Sequence, residues 1–367
     1  MNKPLKIVLI VLASIIGLVA VLGIGYVVYM TVTYYRIEDN LAVETLNQQT
    51  EVLKVSEEYT ALTYNVGFGA YDQEFAMFMD KGNLKDGTPL QGAMSWGRSK
   101  EIVEGNINGT IKTSSAQNAD FYLFQEVDTD STRSYGINQK EMIEAYYKEY
   151  GSAYGINFHS SFLAYPFLQP HGFANSGVLT LSKYNISESV RRSYPVDDDF
   201  INKHFDLDRC FLMTRLPVEN GKELVLINSH MSAYDEGGLI RSQQLELLNQ
   251  VMKEEYDKGN YVIVGGDFNH DLVDMIGKYP SNQQVPPWVA KMNPADIVDG
   301  FSIVAAKNYT EVATCRSACT PYVKGDNFLS TLDGFIVSDN VKAEAINIDD
   351  DFMYSDHNPA KLSFVLE

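Results

Sequence analysis

The chain has 367 residues, enough for one large domain or two small ones. Its 29 basic and 48 acidic residues give a formal charge of −19, which excludes a basic, non-specific nucleic-acid binder, because phosphate contacts are made mostly by Lys and Arg. With 45% hydrophobic and 12% aromatic residues the chain is not disordered, and three cysteines are too few for a disulfide scaffold.

Residues 1–6 read as a short cytoplasmic tail with Lys3 and Lys6 as its charges. Residues 7–32 carry no charge at all. That run exceeds the roughly 20 residues a membrane-spanning helix needs. A core helix of this length would show a polar stripe. A cleaved signal would have a shorter apolar region ending in a small-x-small site. The run therefore predicts one transmembrane anchor. The two lysines before it, against Arg36, Glu38 and Asp39 after it, place the N-terminus inside and the rest outside the cytoplasm. Tyr26, Tyr29, Tyr34 and Tyr35 suit the outer interface. The part beyond residue 35 then carries −21 by itself.

Residues 33–57 read as a polar stalk, with a helix as one option. From residue 58 to 367 nothing marks a boundary, which predicts one globular domain. Apolar runs predict strands over 59–65, 121–125, 177–182, 210–216, 223–229, 261–265, 332–337 and 360–366. Glu219-Asn220-Gly221-Lys222 is a hairpin signal between two of them. Helical patterns cover 98–115, 139–150 and 239–258, the last stopped by Gly259-Asn260. Strands joined both by hairpins and by helices predict a mixed α/β domain.

Several predicted strands end in carboxylates, amides or histidines: Asn65, Gln125-Glu126, Asn228-Ser229-His230, Gly266-Asp267-Phe268-Asn269, Asp333-Gly334 and Ser355-Asp356-His357-Asn358-Pro359. One such residue alone is usually a turn former or cap. Six in one chain point to a shared rim with metal-ligand and acid–base chemistry.

In order and context these motifs resemble the endonuclease/exonuclease/phosphatase superfamily, over roughly residues 59–366. That group includes deoxyribonucleases, abasic-site endonucleases, neutral sphingomyelinases and inositol-polyphosphate 5-phosphatases. The resemblance implies an α/β four-layer sandwich of two packed mixed β-sheets flanked by helices, with the site at one rim. It makes Glu126 the principal ligand of Mg²⁺ or Mn²⁺, with Asn65 and Asp356 near the metal; hard oxygen donors suit such ions. His357 looks like the acceptor of the proton from attacking water, and Asp333 like the carboxylate that orients it. Asp267 and Asn269 would position the water and bind a phosphoryl oxygen. Whether Asp267 or His357 takes the proton stays open. His230 matches the second histidine of the deoxyribonuclease and sphingomyelinase branches, as a phosphate contact or leaving-group acid. Asn175 and His171 are candidate substrate contacts, and Arg98 and Arg209 candidate phosphate contacts. His159, His204 and His270 match no family role, and Asp128 and Asp271 read as solvated or capping residues.

Cys315 and Cys319 lie four residues apart. Zinc would need two more ligands nearby. Outside the cytoplasm, a small-loop disulfide is the expectation.

The expected activity is that of a membrane-anchored, extracytoplasmic, metal-dependent phosphodiesterase acting on nucleic acid. Phospholipid head-group hydrolysis and phosphomonoester hydrolysis are the alternatives. The complete set of Glu126, Asp267, Asn269, Asp333 and His357 argues against a non-enzymatic surface scaffold, and no obligate protein partner is implied. Two aromatic loops, 68–96 and 165–170, would either stack bases, dip into a bilayer, or pin themselves as small hydrophobic clusters.

Overall fold

A computed structural model describes residues 3–197, 199, 203, 208–233 and 238–367. Among these, four α-helices are α1 (Lys3–Thr33), α2 (Lys100–Ser115), α3 (Gln139–Tyr146) and α4 (Leu239–Asp257). The strands are β1 (Leu41–Ala42), β2 (Thr45–Leu46), β3 (Glu58–Asn65), β4 (Lys81–Asn83), β5 (Pro89–Gln91), β6 (Phe121–Asp128), β7 (Gly151–Leu163), β8 (Gly172–Ser182) and β9 (Glu188–Ser193). They continue with β10 (Cys210–Pro217), β11 (Glu223–His230), β12 (Tyr261–Asp267), β13 (Phe301–Val304), β14 (Cys315–Arg316), β15 (Leu329–Ser330), β16 (Asp333–Ser338), β17 (Val341–Asn347) and β18 (Ala360–Leu366).

Two large mixed sheets carry the domain. One runs β1-β9-β10-β11-β12-β16-β13 and the other β17-β18-β3-β6-β8-β7-β2. Their inner faces meet in one apolar core: Leu224, Leu226, Ile263 and Phe335 from the first pack on Ala61, Phe121, Leu123, Leu362 and Phe364 from the second. On the first sheet's outer face α4 lays Leu245, Leu248, Val251 and Met252 against Val225, Ile227, Val262 and Val264. On the second sheet's outer face Ile107 and Ile111 of α2 and Ile143 of α3 cover Leu62, Tyr64, Tyr122 and Phe124. Apolar stripes on helices and apolar faces on strands thus close four layers, as expected.

The predicted strands and helices all form, with ends shifted by a few residues. The hairpin at Glu219–Lys222 joins β10 to β11, and Gly221 supplies its positive φ of 81°. The stalk expectation needs correction. Residues 36–57 form no helix; β1 pairs with β9, β2 pairs with β7, and Leu53 is fully buried in the inter-sheet core. The segment's scattered aliphatics are edge-strand and core residues, so the stretch belongs to the domain.

Helix α1 also contacts the domain. It is long and apolar enough to cross a membrane, and most of it is exposed. Its last turns dock on β7: Met30 is buried with Phe158, Leu163 and Ala174. The Tyr26 hydroxyl donates to Phe162 O and accepts from Ala164 N, and the Tyr29 hydroxyl accepts from Phe162 N.

Leu53 separates a stalk from a structural segment. Leu53→Ala should destabilise the detergent-solubilised chain by about 2–5 kcal/mol in urea unfolding, the range for buried Leu→Ala changes. A free stalk would lose nothing.

Candidate active site

Strand pairing assembles the rim. β12 and β16 pair antiparallel with Asp267 opposite Asp333, and β11 pairs parallel with β12 so that His230 lies beside Asp267. In the other sheet β3 and β6 run parallel, which sets Asn65 beside Gln125 and brings Glu126 to the same end. A bulge in β6 falls between Phe124 and Val127, and Glu126 within it has a φ of 56°. That left-handed residue turns the carboxylate out of the ladder toward the site.

The centre is a short chain of polar contacts. Asp333 Oδ2 lies 2.7 Å from His357 Nδ1, and His357 Nε2 lies 3.8 Å from Asp267 Oδ2. Thr314 Oγ1 accepts from the Asp333 backbone N–H at 3.0 Å. The Asn65 amide donates to Asp267 Oδ2 at 3.0 Å and to Glu126 Oε1 at 3.3 Å. The Asn65 oxygen accepts from the Gly67 N–H, which fixes the amide's orientation. The Asn269 backbone N–H donates to Asp267 Oδ1, and its side-chain amide donates to Met231 O. His230 Nε2 sits 3.5 Å from Asp267 Oδ2 and 3.8 Å from Glu126 Oε1, with the Arg209 guanidinium donating to it. Asp356 enters from the far side, where a Cβ on Gly67 would come within 3.0 Å of its Oδ1. Ser355 ties this loop down by donating to Asn65 O at 2.7 Å.

The charge states follow from burial and neighbours. Burial would lower His357, but Asp333 first, then the Cys315 thiol, Asp267 and Asp356, hold it well above the usual histidine range. Burial, followed by Arg209, keeps His230 well below that range and therefore neutral. Burial pushes Asp356 up to about 7 against the pull of His357, with Glu126 adding to the rise.

The donor set fits a divalent cation. Glu126, Asp267, Asp333 and Asp356 bring four carboxylates to one rim, and the buried Asp333 Oδ1 has no hydrogen-bond partner. Asp267, Asp333 and His357 each offer one ligand atom within 4.8 Å of the others. Hard oxygens dominate both this cluster and the Glu126–Asp356 side, which suits a hard divalent cation.

Other expectations fare differently. Asn175 does not join the cluster: its amide donates to Asp130 O, and its backbone is bound to Ser131. His171 is buried, 6.1 Å from the Phe78 ring, and burial followed by Arg133 lowers it to about 4. Arg98 pairs with Asp72 at 3.1 Å, so of the two candidate arginines only Arg209 reaches the site. His159 packs on Tyr35, and His270 bonds Phe268 O. His204 lies outside the described residues. Asp271 caps a turn by accepting from the Met275 and Ile276 N–H groups, as expected. Asp128 is neither solvated nor a cap: it is fully buried in a 2.8 Å ion pair with Arg133.

The disulfide expectation is overturned. Cys315 and Cys319 are free thiols. Their segment is extended at β14, with Cys315 bridged to His357 and Cys319 bonded to Ser317. Burial pushes the Cys315 thiol up to about 12. Sequence reasoning also missed Arg133, Thr314 and Ser355 as supports. Ser355 stood inside a motif already noticed, whereas Arg133 and Thr314 carried no local signal.

A four-layer sandwich with this carboxylate–histidine rim defines a phosphoesterase hydrolase. The chain belongs to the Endonuclease/Exonuclease/phosphatase family, whose sequence model matches residues 62–357. A comparison with curated proteins finds no match. Among solved structures it is similar in fold to TDP2 from C. elegans, at 14% identity and TM-score 0.52, covering 84% of this chain and 75% of that one. It is similar to D. rerio TDP2 complexed with single strand DNA product, at 16% identity and TM-score 0.51, covering 84% and 99%. ANGEL2, a 2',3'-cyclic phosphatase, aligns at 15% identity and TM-score 0.52, covering 91% and 100%.

His171 offers a pH test. Its folded pKa lies below the unfolded value, so its contribution to stability is present above pH 6.5 and is lost as the pH falls through about 4. The loss approaches about 3 kcal/mol for a shift of this size. His171→Gln should flatten that part of the urea-unfolding profile between pH 7 and 4. An unchanged slope would place the proton uptake elsewhere.

Proposed function

We propose that the protein is a membrane-anchored, extracytoplasmic phosphodiesterase that uses a divalent cation, Mg²⁺ or Mn²⁺. The carrying observation is the Asp333–His357–Asp267 chain of contacts facing Glu126 and Asn65. Glu126 and Asp356 would hold the cation, with Asn65 beside them. When bound, it would neutralise charge on the phosphoryl oxygens.

The chain's own residues then divide the work. Asp333 orients the imidazole through Nδ1, leaving Nε2 turned toward Asp267. The surrounding carboxylates favour the imidazolium form of His357, which makes it a donor to a phosphoryl oxygen. The proton of an attacking water then goes to Asp267 Oδ2. Asn65 holds that carboxylate in place by donating to it, and the Asn269 backbone does the same for Oδ1. The Arg209 guanidinium, positioned by donating to Nε2 of neutral His230, serves as the charge partner of the phosphate. Asn175 and His171, tied into the neighbouring turn and the Arg133 cluster, act as supports of the rim.

The similarity to a DNA-product complex supports a nucleic-acid strand as substrate. One observation favours a second reading, a phospholipid head group: Tyr165, Phe167 and Leu168 stand exposed on the β7–β8 loop, at the same sheet end as Glu126.

The full chain in detergent, supplied with Mg²⁺ or Mn²⁺, should cleave a chromogenic phosphodiester and at least one of plasmid DNA, RNA and sphingomyelin vesicles. Asp267→Ala and His357→Ala should each cost about 10²-fold or more, the scale of lost acid–base catalysis. Activity that survives EDTA, or that ignores both substitutions, contradicts the reading. DNA cleavage without vesicle hydrolysis removes the lipid reading. A reporter fused after residue 367 should be active outside the cytoplasm.

A further inference from the structure

The β7–β8 loop carries exposed apolar side chains at its tip. Phe167 is 84% exposed and Leu168 fully so; Tyr165 and Phe173 flank them at 57% and 48%. Scattered exposed hydrophobics are ordinary, but adjacent ones at a loop tip form a patch. The loop is firmly built below its tip. Ser95 donates to Gln169 O, the Trp96 indole donates to Pro170 O, and Tyr165 packs on Phe78 at 5.8 Å. The exposed tip is thus held out by its base.

Its position relative to α1 says what covers it. Thr33 bonds Ser161, Tyr29 bonds Phe162, and Tyr26 bonds Ala164. Each step along β7 toward the loop is a step back along α1 toward its apolar part. Counting about 20 residues from the charged Lys6 puts the outer edge of the hydrocarbon near Tyr26. Residues 165–168 follow directly on the residue that bonds Tyr26. They stand at the level where lipid begins, beside a helix face that is itself exposed and apolar. Tyrosine, phenylalanine and leucine are the side chains an interfacial contact uses.

We propose that Tyr165, Phe167 and Leu168 enter the outer phospholipid leaflet beside α1. The loop and the docked helix end then hold the domain in one orientation. Glu126 and the β7–β8 loop leave their shared sheet at the same end, so that orientation turns the catalytic rim toward the head groups. This rests on the reading of α1 as a membrane anchor.

The test uses the full chain in phospholipid vesicles with brominated acyl chains, read by tryptophan quenching. Leu168→Trp reports on the loop. Gly17→Trp reports on the anchor, since nothing lies within 4 Å of a Cβ there. The native Trp96 and Trp288 set the background. The expected result is quenching of both introduced probes at least twofold above that background. Quenching at Gly17→Trp with none at Leu168→Trp overturns the loop contact and keeps the anchor. Quenching at neither removes the anchor and the proposal together. Quenching at Leu168→Trp alone removes the anchor as the cause and overturns the proposal as stated. A blue shift of the Leu168→Trp emission on adding single-stranded DNA, without lipid quenching, reassigns the loop to nucleic acid.

Discussion

Four carboxylates meet at one poorly hydrated rim, and their mutual repulsion is the constraint the rest of the site answers. Asp267 and Asp333 face each other across β12 and β16 by register alone. Each is met by a donor: His357 for Asp333, the Asn65 amide for Asp267 and Glu126, and the Asn269 backbone for the second Asp267 oxygen. These contacts do not balance the charge. Burial, with Glu126 adding to it, raises Asp356, and the facing carboxylates, Asp333 first, raise His357. On the proposed reading, an acidic domain meets phosphate through a cation, with Arg209 beside it.

The geometry survives because the two sheets are locked at the point where they carry the site. Gln125 donates to the Asn228 oxygen at 2.8 Å, and the Asn228 amide donates to Phe124 O and Leu179 O. Both side chains are fully buried, so the bridge ties one sheet to the other between two apolar faces. Glu126 and His230 are close to these bridge residues in sequence. A satisfied polar link inside a core fixes one arrangement of the layers, whereas apolar packing alone tolerates sliding.

Much of this was legible in the chain, for physical reasons. Strands such as β11 and β12 are near-continuous apolar runs, and their terminal polar residues had to reach a shared rim. The missed strands lacked that signal. β9 reads Glu188-Ser189-Val190-Arg191-Arg192-Ser193, and its Arg191 is buried only because Ile156, Glu38 and Asp208 lend it backbone carbonyls. Those partners lie 17 to 153 residues away, beyond any local pattern. β7 hides behind Gly, Ser, Asn and His. Asp128 read as a cap because its partner Arg133 is an ordinary residue until the fold buries both. The stalk was misread because edge strands of two residues have no periodicity to detect. The cysteines were judged on their four-residue separation and compartment, and neither shows the extended backbone at β14 that leaves them as free thiols.

On the proposed reading Glu126 and Asp356 hold the cation, while the Asp333–His357 pair donates to the phosphate. Anomalous diffraction from a Mn²⁺-soaked crystal tests this directly. The account predicts a manganese peak bonded to Glu126 and Asp356, with the Asp333–His357 hydrogen bond intact. A peak bonded to Asp267, Asp333 and His357, with nothing at Glu126, would contradict it.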